Sequence, residues 1–399
     1  MANAYSSTGS STLGGTAGGA GLVQQAYDRL LEFALRSEPL IRSVADKTPA
    51  RQSIPGSTVV LQKYVDLAAN TTALSETVDP DAVALSTPTN VSITLAEYGN
   101  SVLVTRALEL FSLADVDPAI ANVIAFNLAD SIDAVAMETL RGGTNKLFGG
   151  SATSTATVAA ASTLDSADIR KAVAKLRAAK AIGRKGSLYW AGIHPEVSHD
   201  LRAESSSGQG WLLPNQYGSS QDRIWAGEIG NYEGAYYVES ARMYNSKSGA
   251  NQTALATASA VSGASGAFTV VAANAAFGGR AEVGDTIAGT NLGAAGSAKI
   301  TAISVGATNT TFTIDSANSG TVGTNTLTVT PVTRVYNTII CGQQAMAQAV
   351  AEEPHVVIGP VVDKLMRHRP MGWYGVLGFA RYREEALYRI ETGSSIAAL

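Results

Sequence analysis

Residues 355–392 read HVVIGPVVDKLMRHRPMGWYGVLGFARYREEALYRIET, and this stretch decides the fold. Its aromatic, glycine and arginine residues are interleaved with apolar ones in a strand-like pattern. Trp373, Val376 and Phe379 come first, then Tyr382, Leu387 and Tyr388 around Arg381, Arg383 and Arg389. Such alternation predicts extended, half-buried chain. No metal-ligand set, no nucleophile beside a base and no phosphate loop lies in it. A segment this strongly marked without catalytic groups reads as a structural surface, with Trp373 as a core residue.

Outward from that stretch, size and composition bound the rest. A single globule of 399 residues would bury roughly three quarters of its extended-chain surface, and a chain this long favours two or more domains. The net charge of −4 argues against a basic face built to bind nucleic acid. The single cysteine, Cys341, excludes an intramolecular disulfide and suits a reducing cytoplasm. No run approaches the length of a membrane span. The start, MANAYSSTGSSTLGG, lacks the basic and apolar regions of a secretory signal. A soluble protein made in the cytoplasm, with no membrane partner, is expected. Charged residues are only 16% of the chain, below the roughly 25% of ordinary domains. That leaves a free monomer poorly protected against association and suits a subunit packed against its own copies.

Residues 6–21 are almost entirely Gly, Ser, Thr and Ala, too polar and small to offset their ordering entropy in isolation. Leu22, Ala26, Leu30 and Phe33 then show the helical period, followed by Leu40, Ile41 and Val44. Two alternating runs, Ser57–Leu67 and Asn90–Thr105, predict a long two-stranded arm with an irregular tip, which needs something to lie on. Asp117-Pro118 marks a helix start. Ile120, Ile124, Leu128, Ile132 and Val135 make its apolar stripe, with Asn122, Asp130 and Asp133 opposite, and Gly142-Gly143 ends it. That helix should span about 36 Å. A second helix is expected after Asp165, with Asp168 completing a capping box. Ser187–Ile193 reads as a buried strand, Pro195–Ala203 as a short helix, and Gly227–Ser240 as a strand pair around an Asn231–Gly234 turn. Residues 248–330 are nearly free of charge and hold short β-prone runs (Phe268–Val271, Lys299–Val305, Thr311–Ile314, Thr326–Thr330) between turn residues. This predicts an inserted all-β module of immunoglobulin-like, sandwich type.

Candidate chemistry is sparse. His194 and His199 stand five apart in HPEVSH, where a zinc-binding helix face needs i, i+4. Glu352-Glu353 and Glu384-Glu385 are adjacent and so point apart, unlike catalytic carboxylates that face each other across a gap. Gly183-Arg184-Lys185-Gly186 lacks the phosphate-loop spacing. Gly227, Gly230 and Gly234 do not match the dinucleotide-binding pattern, and Ser265 in GASGA misses the nucleophile elbow by one position. Cys341, within the apolar run Thr338–Gly342, reads as a buried inert thiol. No catalytic, cofactor-binding or metal residue is assigned, no cofactor is expected, and the chain is not read as an enzyme. Arg381, Arg383, Glu384, Glu385 and Arg389 mix both signs, which favours ion pairing between subunits over a phosphate-binding patch.

Taken in order, six features resemble one family, the major capsid proteins of tailed bacteriophages similar to phage N-four. They are Leu95-Ala96-Glu97-Tyr98-Gly99, the helix after Asp117-Pro118, and His194-Pro195 followed by Asp200-Leu201-Arg202. GEIGNYEG at 227–234, YNTIICGQQAMA at 336–347 and the run Trp373–Thr392 complete them. The resemblance implies an α+β fold, the major capsid fold shared by tailed phages and herpesviruses. By that likeness residues 1–50 form an N-terminal arm and helix, and 51–106 an extended β-hairpin loop overlapping a neighbour. Residues 107–186 form a peripheral domain with the spine helix, and 187–247 with 331–399 an axial domain interrupted by the β insert, 248–330. The implied partners are the chain itself, in pentamers and hexamers of an icosahedral shell, a portal protein, and possible scaffold and decoration proteins. Packaged DNA would meet only the inner face, so an acidic chain is compatible with it. Two rival classes share parts of this pattern. An encapsulin-like nanocompartment shell would enclose an enzyme, and a surface adhesin would explain the β insert but needs export.

Overall fold

The computed structural model describes residues 39–49, 57–71, 73–74, 76–77, 82–107, 116–203, 228–254, 257–264, 267–271, 281–305, 309–320, 322, 326–360, 365 and 367–396. The expected N-terminal arm and first helix, 1–38, and the GASGA serine lie outside them. The described residues open with a 3-10 turn at Ile41–Val44, then β1 (Asp46–Pro49), β2 (Thr58–Lys63), β3 (Thr89–Thr94) and β4 (Ala96–Thr105). Helix α1 (Val116–Arg141) and β5 (Lys146–Phe148) precede α2 (Ser166–Ala178), β6 (Tyr189–Ile193) and α3 (Pro195–Ala203). Next come β7 (Glu228–Tyr232), β8 (Ala235–Glu239) and β9 (Asn245–Asn251). The insert holds β10 (Thr257–Ala264), β11 (Ala267–Val271), β12 (Thr286–Ala288), β13 (Ser297–Val305), β14 (Asn309–Ile314) and β15 (Thr326–Thr330). Strands β16 (Val332–Cys341), β17 (Met346–Ile358), β18 (His368–Arg381) and β19 (Leu387–Thr392) close the chain.

Contacts divide the chain into two compact units. In the unit of 98–128 and 354–375, Val104, Ile124, Met371 and Trp373 form a core with Tyr98, Ile120 and Leu128 packed on it. Trp373 is 4% exposed, as the sequence predicts, and its indole N–H donates to Asn127 Oδ1 at 2.9 Å. A buried indole needs such an acceptor.

The larger unit is built on a seven-stranded sheet, ordered β5-β19-β16-β6-β8-β7 with β9 also paired to β16. Alternate residues of its strands face two separate cores. Tyr189, Ala191, Tyr237, Tyr336, Ile340 and Ile390 meet Ile169, Val173 and Leu176 of α2 and Val197 and Leu201 of α3. Trp190, Val238, Ile339 and Cys341 meet Ile41, Val44, Ala136 and Leu140. A sheet covered on both faces needs near-continuous apolar strands, which is why all of β6 is buried. β5 is an edge strand of this sheet and α2 packs on it. A four-stranded sheet follows the order β1-β17-β18-β4.

The structure corrects several local expectations. The run Asn90–Thr105 is two strands, because Leu95 breaks it: β3 pairs with β2, while β4 joins the four-stranded sheet. The partner strand stops at Lys63, not Leu67. Asp165 sits at the start of α2 without a side-chain capping bond, so the capping box does not form. Asp133, expected on the solvent face of α1, is 2% exposed. By length and composition α1 is also apolar enough to cross a bilayer, but Ile124, Ile132, Ala136 and Leu140 are already buried within the chain.

The insert is β-rich as expected, but it is a closed barrel, β10-β11-β14-β13-β12-β15, and not an immunoglobulin-like sandwich. Strands β10 and β13 each carry a register shift, at Ala260/Ser262 and Ile300/Ala302. A bulge bends a strand and lets it pass from one sheet to the next, so both strands serve two sheets and no edge remains. Ile287, Ile300, Phe312, Leu327 and Val329 fill the interior. Residues 248–251 belong to β9, whose Asn251 pairs with Val332 of β16, so the barrel begins after Asn251.

Candidate functional site

The described residues present surfaces and junctions rather than a reactive centre, and the extended hairpin is the most informative of them. Six consecutive pairs, Thr58↔Thr94 to Lys63↔Thr89, hold β2 against β3. Val59 and Leu61 pack beside Ile93, Ala347 and Ala349. The Lys63 ammonium donates to both carboxylate oxygens of Glu385, at 2.9 and 3.0 Å, and the Tyr382 hydroxyl donates to the Gln62 carbonyl at 3.4 Å. Those Lys63 hydrogen bonds hold the Glu385 carboxyl below the usual carboxylate range. The foot of the hairpin is thus fixed on its own subunit. Past Lys63 the pattern reverses: Tyr64, Val65, Leu67, Leu74, Val83 and Leu85 are all exposed, Val83 by 79%. So many large apolar side chains in one exposed segment mark an interaction surface.

Residues 381–385 tie that foot to the end of α1. Arg381 Nη1 donates to the Thr139 carbonyl at 3.0 Å and Nε to Glu384 at 2.9 Å. The guanidinium satisfies a carbonyl that the helix end leaves open and opposes the negative end of the helix dipole. Gly142 makes room for it, since a Cβ there would lie 2.4 Å from Arg381 Nη1. Glu384 in turn accepts from the Thr144 amide and, at 2.9 Å, from its hydroxyl. Of the mixed charges of this segment, Arg381 pairs with Glu384 and Glu385 with Lys63, both within the subunit. Arg389 likewise meets Glu391 at 2.8 Å, both nearly enclosed, and Glu353 meets Arg42 at 2.7 Å.

Asp133 is a second junction. Its Oδ1 accepts the amides of Ile41 and Arg42 at 2.6 and 3.0 Å, and its Oδ2 accepts from Arg242 Nε at 3.1 Å. Arg242 also pairs with Asp130. A buried carboxylate persists only when paired and hydrogen-bonded, and here it anchors the 3-10 turn to α1.

The sequence candidates for chemistry are not brought together. His194 accepts the Glu196 amide at its Nδ1 (3.3 Å) and lies tilted by 44° against the Tyr336 ring, with ring centroids 4.9 Å apart. Burial pushes its pKa down. The Tyr336 hydroxyl donates to Glu196, and burial first, then that carboxylate, raises the phenol's pKa. His199 is exposed beside Asp200. Burial pushes the Cys341 thiol up to about 12, which makes it a poor nucleophile. Arg184 of the Gly183–Gly186 turn is engaged with Asp46 at 3.2 Å. Among the described residues no three His, Cys, Asp or Glu side chains gather as a metal site.

Sequence reasoning misplaced Asp133 and missed the charge cluster at the base of the barrel, where Lys247 meets Asp285 at 2.5 Å. The available signals were slight: an aspartate directly after the stripe residue Ile132, and a lone lysine in an otherwise uncharged strand.

A family model described as phage capsid protein matches residues 42–395. No curated protein matches the chain. Among solved structures, the capsid of Ralstonia phage GP4 is similar with a TM-score of 0.58 at 13% identity, covering 93% of this chain and 95% of that one. The capsid asymmetric unit of cyanophage Pam1 gives 0.56 at 14% identity, covering 94% and 97%. The head structure of Helicobacter pylori bacteriophage KHP40 gives 0.55 at 11% identity, covering 93% and 96%. At these identities the structures speak for the fold, while the family match spans nearly the whole chain. With that match across residues 42–395, this α+β chain belongs to the phage capsid protein family, as a structural subunit of the virion's capsid shell.

Proposed function

We propose that this subunit closes an icosahedral shell of pentamers and hexamers around double-stranded DNA by laying its 51–106 arm on a neighbouring copy. The observation that carries this reading is the exposed apolar tip, Tyr64 to Leu85, set on a foot that the subunit holds in place. Weak contacts repeated by symmetry over many copies give a stable shell without any special site. In this reading α1 is the spine of the peripheral domain, and the seven-stranded sheet forms the axial domain around the five- and six-fold centres. DNA meets the inner face without sequence preference, in keeping with the net charge of −4. A portal protein, and a scaffold or decoration protein where the shell needs one, complete the partners, and assembly takes place in the host cytoplasm. The subunit performs no catalysis. The barrel stands on the outer face as a decoration-like module; if shells fail to form when residues 253–330 are deleted, that placement is wrong.

The test of the arm is substitution at its tip. Leu74→Asp with Val83→Asp should abolish particles in sedimentation while leaving the melting temperature of the subunit unchanged. Particles that form at the normal yield would contradict the overlap.

A further inference from the structure

We propose that the barrel is a rigid outgrowth of the seven-stranded sheet, held in one orientation by a charge clasp of Lys247, Glu282, Asp285 and Arg334. Two chain connections join the barrel to the sheet, and they lie side by side. Val332 pairs with Asn251, and the Gln252 amide donates to the Pro331 carbonyl at 2.8 Å. Two adjacent tethers alone would act as a hinge. The turn 282–285 supplies the contact that stops it.

Asp285 is fully buried. Its Oδ1 accepts from the Lys247 ammonium of β9 at 2.5 Å and from the Val332 amide of β16 at 3.3 Å. Its Oδ2 accepts the Glu282 amide at 2.9 Å, which shapes the turn itself. Glu282 reaches Lys247 at 3.2 Å and Arg334 of β16 at 2.5 Å. One acidic turn of the barrel therefore grips both strands that carry it. Gly284, at φ +96°, lies flat against Lys247: a Cβ there would fall 2.8 Å from the lysine Cβ. The left-handed backbone and the close approach both require glycine.

Water would hydrate these charges if the barrel swung away, so strength alone does not fix the orientation. Direction does. The contacts of Asp285 and Glu282 with β9 and β16 are met together in one placement only. The clasp is a property of the single subunit and goes beyond shell assembly. In a shell it would give every barrel the same position relative to its sheet, as a contact surface repeated in register requires.

Spin labels test this directly. Val305→Cys on the barrel and Lys146→Cys on the sheet are both exposed sites, while Cys341 is buried. With labelled chain diluted in unlabelled chain, the label-to-label distance should be one narrow peak. Asp285→Asn should broaden it at least about twofold, and speed amide exchange at Val332 by about 100-fold, because breaking a buried pair frees the turn. Exchange at Ile340, in the sheet core, should not change. A broad peak in the unmutated protein, or an unchanged peak in Asp285→Asn, would overturn the proposal. Should Asp285→Asn fail to fold, Glu282→Gln, which removes only the half-exposed outer contacts, carries the test. Faster exchange at Val332 in that variant supports the clasp, and unchanged exchange overturns it.

Discussion

Tyr336, Ile340 and Ile390 of the seven-stranded sheet are fully enclosed, while Leu74 and Val83 beyond the β2–β3 hairpin stand 69% and 79% exposed. Both regions carry large apolar side chains; among the described residues those of the sheet are covered inside the subunit and those of the tip are not. The sheet has a core on each face, so its residues explain why the chain folds. The described apolar side chains of the hairpin's tip stay exposed in the subunit, and in the proposed reading they are what a neighbouring copy covers. On that proposal, where a side chain is buried separates what stabilises the subunit from what would build the shell.

The largest expected effects lie on the buried side. Trp373→Ala should cost about 3–5 kcal/mol of stability through lost burial and the cavity left behind. Trp373→Phe should lose only about 1 kcal/mol, the indole hydrogen bond to Asn127. Denaturant melts of the two variants check the difference, and a Trp373→Ala protein with unchanged melting would remove Trp373 from the core. Arg242→Met comes next. It takes a partner from the buried Asp133, which keeps its two amide donors, so about 2–3 kcal/mol should be lost.

Leu74→Ser and Val83→Ser sharpen the comparison from the other side. As surface changes they should move subunit stability by less than about 0.5 kcal/mol while cutting particle yield. A large drop in melting temperature would mean that the tip is part of the fold after all.

The smallest effect concerns the hairpin's foot. Glu385 titrates lower in the folded chain than its ordinary value because of Lys63. Its contribution is therefore complete above about pH 4.3 and is lost as pH falls through the lower folded value. With Glu385 half-exposed, the pair is worth less than about 1 kcal/mol. The protection factor of the Leu61 amide, which corrects for the pH dependence of intrinsic exchange, should fall on acidification to about pH 3 in the native protein, and less so in Glu385→Gln.

Much of this was legible in the sequence where a period was at work. The stripe Ile120, Ile124, Ile132 of α1, the buried strand ending at Ile193 and the core position of Trp373 all follow from spacing. The position of the insert follows from a drop in charge. Barrel closure does not, because a sandwich and a barrel share the same short strands, and the bulges at Ala260/Ser262 and Ile300/Ala302 leave no pattern to read. The break at Leu95 was hidden by unbroken alternation across two strands with different partners. Asp133 was misplaced because periodicity assigns a charged residue to solvent and cannot see Arg242 arriving from more than a hundred residues away. The irregular tip between the two runs could be located, but not the exposed apolar surface of Leu74 and Val83, because a turn-rich segment without a period shows nothing of what packs on it.

The central claim, that this subunit builds a shell through surfaces it leaves uncovered, is tested most directly by sedimentation and negative-stain microscopy. The protein would be expressed alone and together with the products of its neighbouring phage genes. The account predicts uniform closed particles of a size that fixes the number of subunits. Monomers or small oligomers under both conditions would contradict it.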